Sequence, residues 1–88
     1  MIFQYYLKIK SGSFIFTSYN VVNALDVFKA KDKVINRIYV MYPQVNTINS
    51  STLASIKDGH QITIMIEDLK EVSKEDMAIT LIKEYLQL

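Results

Sequence analysis

Residues 11–22 read SGSFIFTSYNVV and place Phe14, Ile15 and Phe16 between small polar residues. Two foldings suit them. Their alternation lets Phe14 to Tyr19 pair back on the preceding segment through the SGS turn, as the second strand of a hairpin. Alternatively, the stretch is a loop that offers apolar side chains to a partner, with Ser18 or Asn20 as the cap of a following helix. The choice sets whether the chain opens strand–strand or strand–helix, and so decides the fold.

Outward from this stretch the pattern is more regular. Residues 2–10 alternate, with Phe3, Tyr5, Leu7 and Ile9 on one side and Gln4, Tyr6, Lys8 and Lys10 on the other, the period of a half-buried strand. Val21, Val22, Leu25 and Phe28 recur at three and four, which predicts a helix ending in the polar run KAKDK. Residues 34–42 alternate again, with Ile38, Val40 and Tyr42 opposite Arg37, Tyr39 and Met41. They predict a strand before a turn at Pro43. Val45 to Ile48 reads as a short return strand. In NSSTLASIKDG a cap at Asn49, Ser50 or Ser51, with Leu53 and Ile56 on one face, predicts a short helix closing at Gly59. QITIMIE, residues 61–67, is a strand with Ile62, Ile64 and Ile66 on one face. Ser73, followed at three by Asp76, then caps a last helix with the apolar stripe Met77, Ala78, Leu81, Ile82, Tyr85 and Leu86.

With the loop reading, the order is βαββαβα: a single α+β domain over residues 1–88, an open-faced two-layer sandwich with a four-stranded, mainly antiparallel sheet and helices on one face. Composition narrows the function. The 88 residues hold no cysteine, which excludes disulfides and thiolate chemistry and fits a cytoplasmic location. Ten basic residues against nine acidic leave a formal charge of +1, too little for a chain that grips phosphate backbones, so no nucleic acid is expected. No segment approaches the ~20 apolar residues of a membrane helix, so no membrane insertion is expected.

The second half carries a resemblance. VNTINSSTLASIKDGHQITIMIE, a polar link and SKEDMAITLIKEYL resemble the histidine-containing phosphocarrier (HPr) family of the bacterial sugar phosphotransferase system. There a VNAKS-like segment enters a short helix, a GDEITI-like strand follows and an acidic-capped helix ends the chain. The resemblance implies that family's βαββαβα fold and protein partners among the phosphotransferase components. It also implies a phosphorylatable histidine at a position falling between Thr17 and Asn20, where this chain has none. Phosphoryl transfer through nitrogen needs an imidazole, with helix amides and an arginine to hold the charge. The expectation is therefore a degenerate, non-catalytic binding or regulatory module without cofactor or metal, docking a partner through Phe14, Ile15, Phe16, Thr17 and Ser18. The sole histidine, His60, reads as an exposed turn residue. In the family's Gram-positive members a serine at the cap of the short helix is regulatory, which points to Ser50 and Ser51 as phosphorylation sites.

Other constellations are weaker. Glu67, Asp68, Glu71, Glu75 and Asp76 match no calcium loop and read as a solvated link and helix start. Tyr6, Tyr39, Met41 and Met65 are expected on the open face of the sheet, where Tyr and Met are favoured interface residues. This supports an alternative: an interaction or structural protein, unrelated to sugar transport, that forms a homodimer or larger oligomer through that face.

Overall fold

A computed structural model describes every residue except Pro43, Asp58, Gln87 and Leu88, and only the backbone of Lys57. The elements run β1 (Ile2–Ser11), β2 (Phe14–Asn23), α1 (Val27–Met41), β3 (Asn46–Asn49), β4 (Thr52–Lys57), β5 (His60–Val72) and α2 (Lys74–Leu86). One five-stranded sheet results, in the order β2-β1-β5-β4-β3, with every neighbouring pair antiparallel. The fold is α+β, but the four-stranded βαββαβα sandwich is corrected to ββαβββα.

The hairpin reading of residues 11–22 is the one that holds. Ser11 stands opposite Phe14, and the pairing runs without interruption to Ile2 opposite Asn23. Gly12 has φ +61 while Ser13 is not in the left-handed region, the pattern of a two-residue type II′ turn with glycine first. The alternation then continues: Phe14, Phe16, Ser18, Asn20 and Val22 share a face with Ser11, Ile9, Leu7, Tyr5 and Phe3.

The expected strand over 34–42 is the second half of α1. Ala30, Val34 and Ile38, at spacings of four, are each 0% exposed and form the stripe that α1 lays on the sheet. Val40, on the same face as Ile38 in a strand, is 81% exposed in the helix. KAKDK, residues 29–33, lies inside the helix near its start rather than at its end, with its charged side chains around the buried Ala30. The cap is Asp26, whose Oδ1 accepts from the Lys29 amide at 2.8 Å, so neither Ser18 nor Asn20 caps a helix. At the other end the Tyr42 amide donates to the Ile38 carbonyl at 2.9 Å. The turn expected at Pro43 lies outside the described residues.

The expected short helix over 49–59 is instead the β3–β4 hairpin and the strand β4. Asn49 pairs with Thr52 across Ser50 and Ser51, and Leu53 and Ser55 turn into the core opposite Ile64 and Ile62. Lys57 then faces His60 across a second tight link, with Gly59 at φ +78.

The core lies between α1 and one face of the sheet: Phe3, Tyr5, Leu7, Val22, Leu53, Ile64 and Ile66 against the α1 stripe. Fully burying one such side chain contributes about 1.5–3 kcal/mol. β5 keeps Leu69 against this core by a bulge. Between Gln4 and Tyr6 the register with β5 slips by one residue, and Asp68 at φ +54 supplies the extra one. The inward set therefore changes from even (Ile62, Ile64, Ile66) to odd (Leu69) along the same strand.

α2 follows the expected cap: the Asp76 amide donates to Ser73 Oγ at 3.1 Å. It lies on the opposite face of the sheet from α1, over Tyr6 and Tyr19, so the helices do not share a face. Among the described residues no helix is long and apolar enough to cross a membrane.

Candidate interaction surface

β2 is an edge strand, and hairpin geometry fixes which of its backbone groups are free. In a two-residue hairpin the residues flanking the turn exchange both hydrogen bonds, and pairs then alternate between bonded and non-bonded. Ser11–Phe14 is bonded, so Phe14, Phe16, Ser18, Asn20 and Val22 point their amides and carbonyls at β1. Ile15, Thr17, Tyr19, Val21 and Asn23 point theirs away from the sheet. Two of these outward carbonyls are occupied from α1. Lys33 Nζ donates to the Asn23 carbonyl at 2.6 Å, and Arg37 Nη1 donates to the Val21 carbonyl at 3.0 Å. The same guanidinium nitrogen also donates to the Tyr5 hydroxyl at 3.3 Å. The stretch Ile15–Tyr19 carries no such cap.

Beside that uncapped stretch runs α2. It is attached through polar and aromatic groups: the Tyr6 hydroxyl donates to Glu84 Oε1 at 3.3 Å, and the Tyr6 and Tyr19 rings meet edge-on. The Tyr19 hydroxyl donates to Gln4 Oε1 at 3.2 Å. Burial, with the negative charge and hydrogen bond of Glu84, raises the Tyr6 pKa above its ordinary 10.0. Tyr19 is also raised, by burial first, with a hydrogen bond from Thr80 acting in the opposite direction. Met77, Thr80 and Glu84, one residue per turn, are half-buried and form the side nearest the sheet, whereas no residue of α2 is fully buried. The apolar stripe read from the sequence thus points largely to solvent: Ile82 is 59%, Tyr85 74% and Leu86 75% exposed. Between this stripe and Phe16–Tyr19 of the strand edge lies a groove of about 620 Å³, lined on the helix side by Leu81, Ile82, Glu84, Tyr85 and Leu86.

The sequence-predicted positions fall as follows. Phe14, Ile15, Phe16, Thr17 and Ser18 are in the first half of β2, inside the uncapped region, as strand and not as loop. They divide between the two faces. The segment between Thr17 and Asn20, which the phosphocarrier resemblance places at a helix start, is mid-strand, where no helix amides converge. Asn20 Nδ2 donates there to Ser18 Oγ at 3.0 Å. Ser50 and Ser51 sit in the β3–β4 turn and cap no helix; the Ser51 amide donates to Asn49 Oδ1 at 3.0 Å. Tyr6, Tyr39, Met41 and Met65 are not brought together. Tyr6 and Met65 are on the α2 side of the sheet, while Tyr39 and Met41 are on α1, where the Tyr39 hydroxyl meets Thr47 Oγ1 at 3.2 Å. His60 is exposed at the start of β5, and among the described residues no three His, Cys, Asp or Glu are grouped to hold a metal.

Sequence reasoning missed the free edge as a feature, although FIFTSYNVVN shows it: ten residues of strand with no charge, proline or glycine to blunt the edge. The Lys33 and Arg37 caps depend on where α1 lands, and no local pattern announces them. Comparison with protein-family models, curated proteins and solved structures finds no match to this chain.

Proposed function

We propose that this chain is a non-catalytic protein-interaction module whose working surface is the uncapped half of the β2 edge together with the apolar stripe of α2. One observation carries the reading: α2 leaves Ile82, Tyr85 and Leu86 exposed while attaching to its own sheet through the Tyr6–Glu84 hydrogen bond beside the half-buried Met77 and Thr80. An isolated amphipathic helix gains most of its stability by burying its apolar face, so a stripe left uncovered beside an open strand edge favours a surface that a partner completes. The reading does not rest on the phosphocarrier resemblance, whose element order the chain does not share.

Leu81→Asp and Tyr85→Asp change exposed side chains and leave the fold intact, with stability moving by no more than about 0.5 kcal/mol. In chemical cross-linking within extract of the source cells, the unmodified chain joins a defined partner in constant ratio and the double variant does not. Recovery of the same species by both would overturn the proposal.

A further inference from the structure

We infer that the partner on this surface is a second copy of the same chain, joined strand to strand through β2 across a two-fold axis at Thr17. The inference rests on the interaction reading above and names its occupant.

Surface area is the first argument. The chain of 10.2 kDa exposes 6166 Å². The mass scaling of folded monomers gives about 5,300 Å² for this size, an excess of roughly 850 Å². One partner's share of a standard stable interface is about 800 Å², so the surplus is what a single dimer contact removes. The shape agrees: the radius of gyration is 13.7 Å, with a thinnest dimension of 18 Å, where a compact chain of this length has about 12 Å.

Register is the second. An edge strand can pair antiparallel with its own copy about a two-fold axis, and closure then leaves no growing end. Of the outward residues, Val21 and Asn23 are capped by Arg37 and Lys33, which leaves Ile15, Thr17 and Tyr19. These three pair only with each other in one two-fold register, with Thr17 on the axis and Ile15 of each copy opposite Tyr19 of the other. Every outward amide and carbonyl of Ile15, Thr17 and Tyr19 then finds a partner, and the occupied carbonyls of Val21 and Asn23 fall beyond the paired stretch. The side chains suit it: Ile15 meets Tyr19 as a β-branched–aromatic pair, and no like charges oppose along the strand. Phe14 and Phe16, now 65% and 51% exposed, lie along the same new seam. On the other face the stripe of α2 lies next to the strand edge and meets its symmetry mate.

The test uses the full chain, which lacks cysteine. Residues of a bonded antiparallel pair have Cα atoms about 5.5 Å apart, within disulfide reach, so Thr17→Cys oxidises to a covalent dimer. Ile15→Cys, displaced from its mate by four residues of strand, does not. Sedimentation at high micromolar concentration gives a dimer for the unmodified chain. Thr17→Pro gives a monomer with unchanged circular dichroism, because the lost amide points away from β1; Thr17→Lys, which sets two like charges on the axis, does the same should the proline perturb the strand. A monomeric unmodified chain, or equal cross-linking at positions 15 and 17, overturns the inference. If that monomer still cross-links in extract to a different protein, and Leu81→Asp/Tyr85→Asp abolishes this, the interaction reading stands with another occupant. If neither species forms, both fail.

Discussion

Tyr19 meets Tyr6 edge-on across the β1–β2 pair, ring centroids 5.3 Å apart and planes at 61°, with the Glu84 carboxylate within hydrogen-bond distance of the Tyr6 hydroxyl. This pair ties the hairpin to the only side of α2 that touches the sheet. Its titration therefore reports the docking of α2 directly.

Burial, and then Glu84, hold the Tyr6 phenol protonated above its ordinary 10.0. A tyrosine raised in the folded state keeps its proton where the unfolded chain has lost it. Its contribution to stability is thus complete below pH 10 and declines as pH rises through the folded value. Alkaline titration by phenolate absorbance should show a late component, shared with the raised Tyr19, that Tyr6→Phe diminishes and Glu84→Gln moves down. A titration in which all tyrosines ionise together at the ordinary value would exclude this docking.

Ile38 and Val40 discriminate the helix from the strand that alternation suggests. Ile38→Ala removes a side chain buried against the sheet and should cost about 2–5 kcal/mol, whereas Val40→Ala should stay within about 0.5 kcal/mol. Denaturant unfolding measures both. Comparable losses at the two positions would contradict α1.

The same pair shows why parts of the fold were legible and others not. β1 read correctly, and β5 as far as Glu67, because each buries one face against α1 with strict alternation. Residues 68–72, expected as a polar link, instead continue β5 to Val72 beyond the bulge at Asp68, where the alternation changes phase. α2 read correctly because Ser73 and Asp76 make a local cap. α1 did not, since Val40 and Tyr42 carry the apolar alternation of a strand by chance while the true signal, Ala30–Val34–Ile38, spans a polar run. β4 hid its alternation because Ser55, one of the two buried among its described side chains, is a polar group at 3% exposure. Of the candidate surface, the apolar residues Phe14 to Phe16 were visible. Their grouping with α2 was not, since it is created by the hairpin and by α2 crossing to the second face.

Gly12 begins a type II′ turn at φ +61, with open space where a Cβ would stand. Gly12→Ala therefore meets no neighbour and carries only the cost of the left-handed backbone, about 1–2 kcal/mol. For a domain of this size that lowers Tm by several degrees, about 4–8 °C per kcal/mol. An unchanged Tm would argue against the hairpin turn.

Asp68 holds its bulge at φ +54. Asn and Gly tolerate that region, so Asp68→Asn and Asp68→Gly should be neutral within about 0.5 kcal/mol, and Asp68→Val should lose about 1–2 kcal/mol. Because the Asp68 charge also raises Tyr6, Asp68→Asn should bring the Tyr6 titration slightly down. A valine variant as stable as the parent would mean that β5 pairs with β1 in a single unbroken register.

Lys33 and Arg37 limit how far the β2 edge can be extended, because each occupies an outward carbonyl. Lys33→Ala/Arg37→Ala frees both and lengthens the open edge from three outward residues to five. The change should cost about 1 kcal/mol for the lost Arg37–Tyr5 hydrogen bond, an amount visible in unfolding. Its larger effect should be on assembly, since a longer uncharged edge accepts several registers in place of one. Light scattering should then show a broadened distribution with species above the dimer, and hydrogen exchange at Val21 and Asn23 should become concentration-dependent. Conservative Lys33→Arg keeps a donor on the Asn23 carbonyl and should leave the size distribution as it is. If the double alanine variant loses stability without any change in size distribution, the two cations only anchor α1 to β2 and set no limit on strand pairing.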